Sequence, residues 1–339
     1  MSSEGEMATL LMPAEWADHD ATWMGFPNAA YPGSGVSTEE AQQAWANVAN
    51  QICDHEPVSM LCHPQQRGTA QRKLSGAITL VDYPLNDAWL RDSGPTFVIA
   101  GGQLSGVDWR FNGWGDNTQF DWHADNGIAA AICEIVGCNR HSSTLTNEGG
   151  GIHTDGEGLL LVTRTVQLDP DRNPGWCEAE VEQELHQQLG THRAVWLPRG
   201  LYRDYEDNGT RGHVDMVACF APGEQLLLHW QGNPDHPDHA VCAAIEATLR
   251  EAGLDPRRLP APATLRDNRD WVDYSYINHY VLNGAVIVPT FKDRQDDAAL
   301  EQLAHYYPGR TIHGVDARVI FAMGGGVHCI TQQQPSLPR

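Results

Sequence analysis

Lysine is almost missing from this chain: only Lys73 and Lys292 stand among its 22 basic residues, against 44 aspartates and glutamates. The formal charge is therefore 22 − 44 = −22. A surplus of that sign argues against nucleic acid and anionic membranes as partners, because both are bound through clustered positive charge. It favours the approach of a small cation, although it also serves solubility alone. Long apolar runs are missing too. No stretch approaches the roughly 18 continuous apolar residues of a membrane span. The first residues, Met1-Ser2-Ser3-Glu4-Gly5-Glu6-Met7, are acidic and lack a basic segment followed by an apolar run, so no secretory signal is expected. Nor is there a disulfide framework. The eight cysteines, at 53, 62, 133, 138, 177, 219, 242 and 329, are scattered through 339 residues, which fits reduced thiols in a cytoplasm. Cys133 and Cys138 with His141 lack the spacing of paired zinc ligands, and the run around Cys133 reads as the buried side of a helix. No metal is expected there.

What is present is enough for a sizeable core: 41% hydrophobic residues, 11 tryptophans and only 19% charged residues. The length permits one large domain or two. Apolar residues at helical spacing follow Ser37-Thr38 through residues 39–54, and recur in 177–189 and 238–252. Short apolar runs at 57–62, 96–100, 159–163, 194–197, 225–229, 285–288 and 319–322 read as strands. Alternation of the two types predicts an α/β fold. One echo stands out: Gly149-Gly150-Gly151-Ile152-His153 and Gly324-Gly325-Gly326-Val327-His328 are each a glycine triplet, a branched apolar residue and a histidine. Separated repeats of a βαβ-type unit would produce such a pair, and so would two unrelated tight turns.

Four segments far apart in sequence carry reactive groups. Asn86-Asp87-Ala88-Trp89-Leu90-Arg91-Asp92-Ser93-Gly94-Pro95 crowds two carboxylates, an arginine and a tryptophan before a turn. Asn147-Glu148 enters a glycine run. In Gly212-His213-Val214-Asp215 an extended backbone would turn His213 and Asp215 to one face. Gly324-Gly325-Gly326-Val327-His328-Cys329 sets a thiol beside a histidine, after glycines that let a backbone approach a ligand. Each alone has a bland reading as a loop, a salt bridge or a buried cysteine. Together they supply a nucleophile, a proton carrier and several carboxylates, which repel one another unless a cation sits between them. A guanidinium offers five N–H donors that match carboxylates in pairs, and its resonance-stabilised carbon needs both a strong nucleophile and a general acid. Cys329 and His213 meet those two needs.

Read end to end, the chain resembles the family of agmatine deiminases and bacterial-type peptidylarginine deiminases, within the guanidine-modifying superfamily. The resemblance begins with Met12-Pro13-Ala14-Glu15-Trp16 and Ala21-Thr22-Trp23, and runs through Trp89-Leu90-Arg91-Asp92-Ser93-Gly94-Pro95-Thr96-Phe97, Glu148-Gly149-Gly150, Arg172-Asn173-Pro174 and Gly212-His213-Val214-Asp215. It closes with Ser275-Tyr276-Ile277-Asn278, Pro289-Thr290-Phe291-Lys292-Asp293 and the cysteine segment to Gln334-Pro335. It implies an α/β propeller (pentein), a single domain over 1–339 built of five αββαβ-type modules around a central site. It further implies that Cys329 attacks the guanidinium carbon and that His213 protonates departing ammonia, then activates water. Glu148 would orient that histidine, and Asp92 and Asp215 would clamp the guanidinium nitrogens. Trp89, Asp87, Asp92, Asp215, Gly325 and Gly326 are the substrate-binding residues expected on this basis. No metal or organic cofactor is required. The reaction would turn agmatine and water into N-carbamoylputrescine and ammonia, as part of polyamine synthesis.

Four departures from the family pattern bear on the substrate. Phe26 stands where a second tryptophan is expected, Arg211 precedes Gly212-His213 in place of Asn or Asp, Met216 follows Asp215 in place of Asn, and Asn147 replaces an apolar residue. An Arg211 facing the pocket would favour a carboxylate-tailed guanidine; an Arg211 facing solvent, or paired with Asp204 or Asp207, would have no say. The second is the expectation here. The rivals are a deiminase of arginine, of peptidyl-arginine or of a guanidino acid, and an amidinotransferase. A cysteine protease lacks support from the carboxylate set, and a non-catalytic binding protein would not need all five catalytic positions filled. A homo-oligomer is left open.

Overall fold

A computed structural model describes residues 10–118 and 121–337, so the expectation for residues 1–7 lies outside them. One unit recurs five times: an antiparallel pair of strands, a helix, and a third strand parallel to the second. In the first, Thr96–Ala100 pairs with Gln103–Arg110, the helix Ile128–Val136 follows, and Asn139–Thr146 returns parallel, with Leu10–Leu11 added on the outer edge. The second is Ile152–Thr154, Leu159–Thr163, helix Glu178–Leu189 and Arg193–Leu197. The third is Ala218–Ala221, Gln225–Trp230, helix Pro237–Glu251 and Pro256–Pro260. The fourth is Tyr280–Leu282, Ala285–Thr290, helix Asp296–Tyr306 and Thr311–Asp316. The fifth joins the two ends of the chain. Thr331–Pro335 pairs antiparallel with His19–Gly25, the helix Thr38–Ile52 follows, and Val58–Cys62 lies parallel, extended by Thr79–Asp82.

Local chemistry explains the helices. Thr38–Ile52 starts at Ser37, whose hydroxyl accepts from the Glu40 N–H (3.2 Å) while the Glu40 carboxylate accepts from the Ser37 N–H (2.9 Å). This capping box satisfies two of the donors a helix start leaves open. Its inward face is Ala41, Ala44, Trp45, Val48 and Ile52, and Trp45 meets the edge of Trp89 at a ring separation of 5.2 Å. Ile128–Val136 and Glu178–Leu189 end at Gly137 (φ 74°) and Gly190 (φ 70°), left-handed positions that glycine takes without a Cβ clash. Among the described residues, no helix is long and apolar enough to cross a membrane.

The helices expected at 39–54, 177–189 and 238–252 are present, as are six of the seven expected strands. The exception is 319–322, which lies in the helix Arg318–Ala322. Its run of four apolar residues carries no period long enough to separate strand from helix. Ile320 and Phe321 are buried, and the helix packs on Thr38–Ile52.

Candidate active site

Every segment with reactive groups is the lead-in to the first strand of a unit. Residues 89–95 precede Thr96–Ala100, 147–151 precede Ile152–Thr154, 208–216 precede Ala218–Ala221, and 324–330 precede Thr331–Pro335. The fourth unit contributes too, through Asn278 just before Tyr280–Leu282. The fold thus gathers one short irregular segment from each unit.

Gly150 marks where they meet. A methyl group on its Cα would lie 2.5 Å from His213 Nδ1, 3.0 Å from Asp92 Oδ1 and 3.1 Å from Asp215 Oδ2. His213 Nε2 lies 3.1 Å from Glu148 Oε2, and its Nδ1, 3.8 Å from Asp92 Oδ1, has no hydrogen-bond partner. Burial alone would depress the imidazole, but Asp92, Glu148 and Asp215 outweigh it and push His213 up to about 9. Burial would raise Glu148; the Arg172 guanidinium, whose Nε donates to both its oxygens at 2.9 and 3.1 Å, and His213 pull it down to about 2. Asp92 accepts from the Gly150 N–H (3.0 Å) and from Trp114 Nε1–H (2.9 Å). Burial, opposed by His213 and reinforced by Glu148 and Asp215, lifts it to about 6. Asp215 goes the other way, because His328 and His213 more than offset its burial.

Cys329 Sγ receives the Gly326 N–H and an Asn278 Nδ2–H, both at 3.3 Å, and stands 3.5 Å from Asp215 Oδ2. Burial, then the charges of Asp215 and Asp92, hold its thiol well above the ordinary range. Sγ opens on a small cavity walled by Trp89, Trp114, Asp92 and Gly325. A methyl on Gly325 would strike the Trp89 ring at 2.7 Å, so only glycine lets indole and thiol approach this closely. Tyr31, Asn208 and Gly324 also border a second, outer cavity.

The geometry brings together Cys329, His213, Glu148, Asp92, Asp215, Trp89, Gly325 and Gly326. Asp87 stands back from the cavity: its carboxylate accepts from the Tyr31 hydroxyl, which in turn receives Trp89 Nε1–H (2.8 Å). His213 and Asp215 border one space, but not through an extended strand. Asp204 gathers the N–H groups of Thr210 (2.7 Å), Gly212 (2.7 Å) and His213 (3.1 Å), and the chain winds into a 3₁₀ turn at Val214–Met216. A carboxylate collecting three backbone donors within four residues decides the local backbone here, over the period-two pattern. His328 does not face Cys329 Sγ at all; its ring nitrogens meet Asp215 and Glu15.

Arg211 points away from the cavity, as expected, but to other partners. Its Nη1 lies 2.8 Å from Asp169 and 2.7 Å from Asp171, and only its backbone N–H reaches Asp204, at the carbonyl. Asn147, Phe26 and Met216 are buried, and Asn147 Oδ1 accepts from Gln167. Three residues near the reactive groups had no role in the sequence reading. Arg172 and Asn278 lay unassigned within family motifs. Trp114 had only the weak signal of a tryptophan between glycines. It adopts φ 58°, flanked by Gly113 (φ 66°) and Gly115 (φ 75°), a left-handed run that aims its indole at Asp92. Strain of that kind in a non-glycine residue costs about 1–2 kcal/mol and persists only where the surroundings impose it. No group of three or more His, Cys, Asp or Glu among the described residues is placed to hold a metal ion.

A family profile described as Porphyromonas-type peptidyl-arginine deiminase matches residues 11–335. The chain is 47% identical to a provisionally named agmatine deiminase of Streptomyces coelicolor, over 96% of this chain and 99% of that one. It is 36% identical to the agmatine deiminase of Pseudomonas aeruginosa, over 96% and 95%. Among solved structures, the agmatine deiminase of Enterococcus faecalis superposes with a TM-score of 0.90 at 31% identity, covering 97% of each chain.

Proposed function

This chain belongs to the Porphyromonas-type peptidyl-arginine deiminase family, and from that membership we propose that it hydrolyses agmatine to N-carbamoylputrescine and ammonia through a covalent Cys329 intermediate. The observation that carries the reading is the convergence of a carboxylate-held imidazole and two further carboxylates around Gly150, beside a thiol that shares a small cavity with Asp92.

The chemistry follows from the charges. Asp92 and Asp215 receive the guanidinium, and its positive charge offsets the two carboxylates that hold the Cys329 proton, so the thiol gives that proton up to solvent when substrate is bound. The thiolate adds to the guanidinium carbon. The His213 imidazolium gives its proton to the departing nitrogen, and ammonia leaves a thiouronium on Cys329. Neutral His213 then takes a proton from water, which adds to the same carbon. Collapse expels the Cys329 sulfur, which takes up the adduct's hydroxyl proton and returns to the thiol, leaving the ureido product and the imidazolium; the proton first lost to solvent ends on the released ammonia. Glu148, locked by Arg172, keeps the His213 ring oriented through both steps. The residues present call for no metal or organic cofactor.

The outer cavity favours agmatine over a carboxylate-tailed guanidine. It is bordered by Glu206, Asp207 and Asp273 against Arg203 and Arg269; Arg203 is already paired with Asp267 at 2.8 Å, and the Asp204 carboxylate at its edge is spent on backbone N–H groups. That surplus suits a terminal ammonium. Arg211, spent on Asp169 and Asp171, offers nothing to a carboxylate. The test is ammonia release from agmatine, arginine, a blocked arginine and a guanidino acid. Agmatine is expected to be turned over at least ten times faster than the rest. Faster release from arginine would overturn the tail assignment, and activity that requires a second amine would make the protein an amidinotransferase.

The pH dependence of kcat/KM is expected to be bell-shaped. Below about 6 Asp92 takes a proton and the clamp loses one of its two charges; above about 9 His213 loses the proton that ammonia needs. Initial rates with agmatine from pH 5 to 10 check this, and a profile flat across that range would remove both assignments.

The same reading extends to the architecture. The five recurring units form one pentein propeller over residues 1–339, with the lead-in segments at its centre. The pairing of Thr331–Pro335 with His19–Gly25, which joins the chain ends, supports this. All eight cysteines are free thiols, which supports a reducing, cytoplasmic location; a place in polyamine synthesis rests on agmatine being the substrate.

A further inference from the structure

The mechanism leaves the two echoed histidines unused, yet both end on one carboxylate. Glu15 Oε2 lies 3.6 Å from His153 Nε2, and Glu15 Oε1 lies 2.7 Å from His328 Nε2. The other ring nitrogen of His328, Nδ1, lies 2.8 Å from Asp215 Oδ2. Arg91 Nη1 stands 3.6 Å from Glu15 Oε1, and Arg91 Nε donates to the His328 carbonyl (3.4 Å). All five residues are buried, none more than 6% exposed.

Proton counting narrows the state of this cluster. A neutral imidazole has one N–H and one lone pair, and an ionised carboxylate only accepts. A ring with a carboxylate oxygen against each nitrogen is satisfied when both nitrogens carry protons. The alternative, a neutral ring and a protonated acid, would place the proton on a group whose surroundings favour the anion. Burial works against charge on Glu15, but His328, His153 and Arg91 hold it well below the ordinary carboxylate range. Burial and Arg91 work against charge on His328, and Glu15 and Asp215 together overcome them. His279, another titratable ring near Glu15, is kept neutral by burial, its Nδ1 facing the Tyr276 carbonyl at 2.8 Å, while His19 Nε2 meets the Glu15 carbonyl at 3.1 Å and His213 faces Asp215 from the other side of the site. Asp215 Oδ1, meanwhile, is buried without any partner.

We propose that His328 is a buried imidazolium that positions Asp215, holding Oδ2 through a charged hydrogen bond so that Oδ1 stays ionised and free for the guanidinium. This rests on Asp215 being half of the guanidinium clamp. His328 touches no reacting atom in this scheme; it is a positioning residue acting through Asp215, with Glu15 as its counter-charge. The glycine echo then has a physical meaning, since two units each deliver a histidine to the same buried glutamate.

The test is His328→Gln, which keeps a donor near Asp215 and removes the charge. Buried without its counter-charge, Asp215 gains a proton more easily. KM at pH 7 is expected to rise at least ten-fold with kcat much less affected; Asp215, no longer held below Asp92, takes over the acid limb of kcat/KM that Asp92 sets at about 6 in the wild type and moves it up by at least one pH unit, so that raising the pH restores activity. A purely structural role would lower kcat or stability without moving that limb. The kinetics use whichever guanidine the wild-type enzyme hydrolyses, so an error in the substrate does not mask the outcome. A second measurement needs neither substrate nor that variant: nitrogen NMR of histidine-labelled wild type. The His328 ring, identified through its backbone amide as the histidine that follows a valine, is expected to stay protonated on both nitrogens through pH 8. An unmoved acid limb with KM within two-fold, or a ring that becomes neutral below pH 7, overturns the proposal.

Discussion

Cys329→Ala is expected to release no ammonia from agmatine, with kcat reduced by about 10⁴-fold or more, the scale on which removal of a nucleophile acts. The folded state should survive. The change removes one small buried side chain and leaves two donors, the Gly326 N–H and Asn278 Nδ2–H, without their sulfur acceptor. A modest loss of stability, about 1–2 kcal/mol, is the expected cost of those two groups. The variant should still bind agmatine, because Asp92 and Asp215 are untouched. In the wild-type enzyme, acid quenching during turnover should trap a mass increment on Cys329 matching the thiouronium. Ammonia release by the variant at more than a thousandth of the wild-type rate would remove Cys329 from the reaction. Folded protein without binding would instead point to the clamp.

Gly150→Ala is expected to lower kcat/KM by about 10²- to 10³-fold, although the position bears no functional group. The added methyl would stand 2.5 Å from His213 Nδ1, 3.0 Å from Asp92 Oδ1 and 3.1 Å from Asp215 Oδ2. None of these atoms is the loose end of a flexible chain. His213 is held by Glu148, Asp92 by Trp114 and Asp215 by His328. Something must shift, and displacements of about 1 Å in a reacting array cost on the order of 10²-fold. Overpacking should also take about 1–3 kcal/mol from the fold. Gly68→Ala is the control, since a methyl there meets nothing nearer than 3.7 Å. If Gly150→Ala keeps kcat/KM within ten-fold of wild type, the three groups do not enclose the reacting centre as described.

Much of this protein is legible in its residues. The capped apolar spacing of Thr38–Ile52, the glycine stops after Val136 and Leu189, and the short branched runs at 159–163 and 285–288 fix elements because backbone hydrogen bonding and side-chain period act over a few residues. The five groups proposed for catalysis are likewise legible, since each sits in a short segment whose composition betrays it. The run 319–322 was misread because four apolar residues contain no period.

What only the tertiary structure decided are the pairings between segments. Nothing in the spacing says that His328, beside Cys329 in sequence, turns from it to an aspartate in another unit and to Glu15 near the other end of the chain. Nor does it say that Arg211 finds Asp169 and Asp171, or that Trp114 and Asn278 reach Asp92 and Cys329. Those contacts link residues far apart in the chain, and their strength comes from burial, which exists only once five separate lead-in segments have been packed against one another. Side-chain types and local period set which groups are available; the low-dielectric interior that brings them together decides which carry charge.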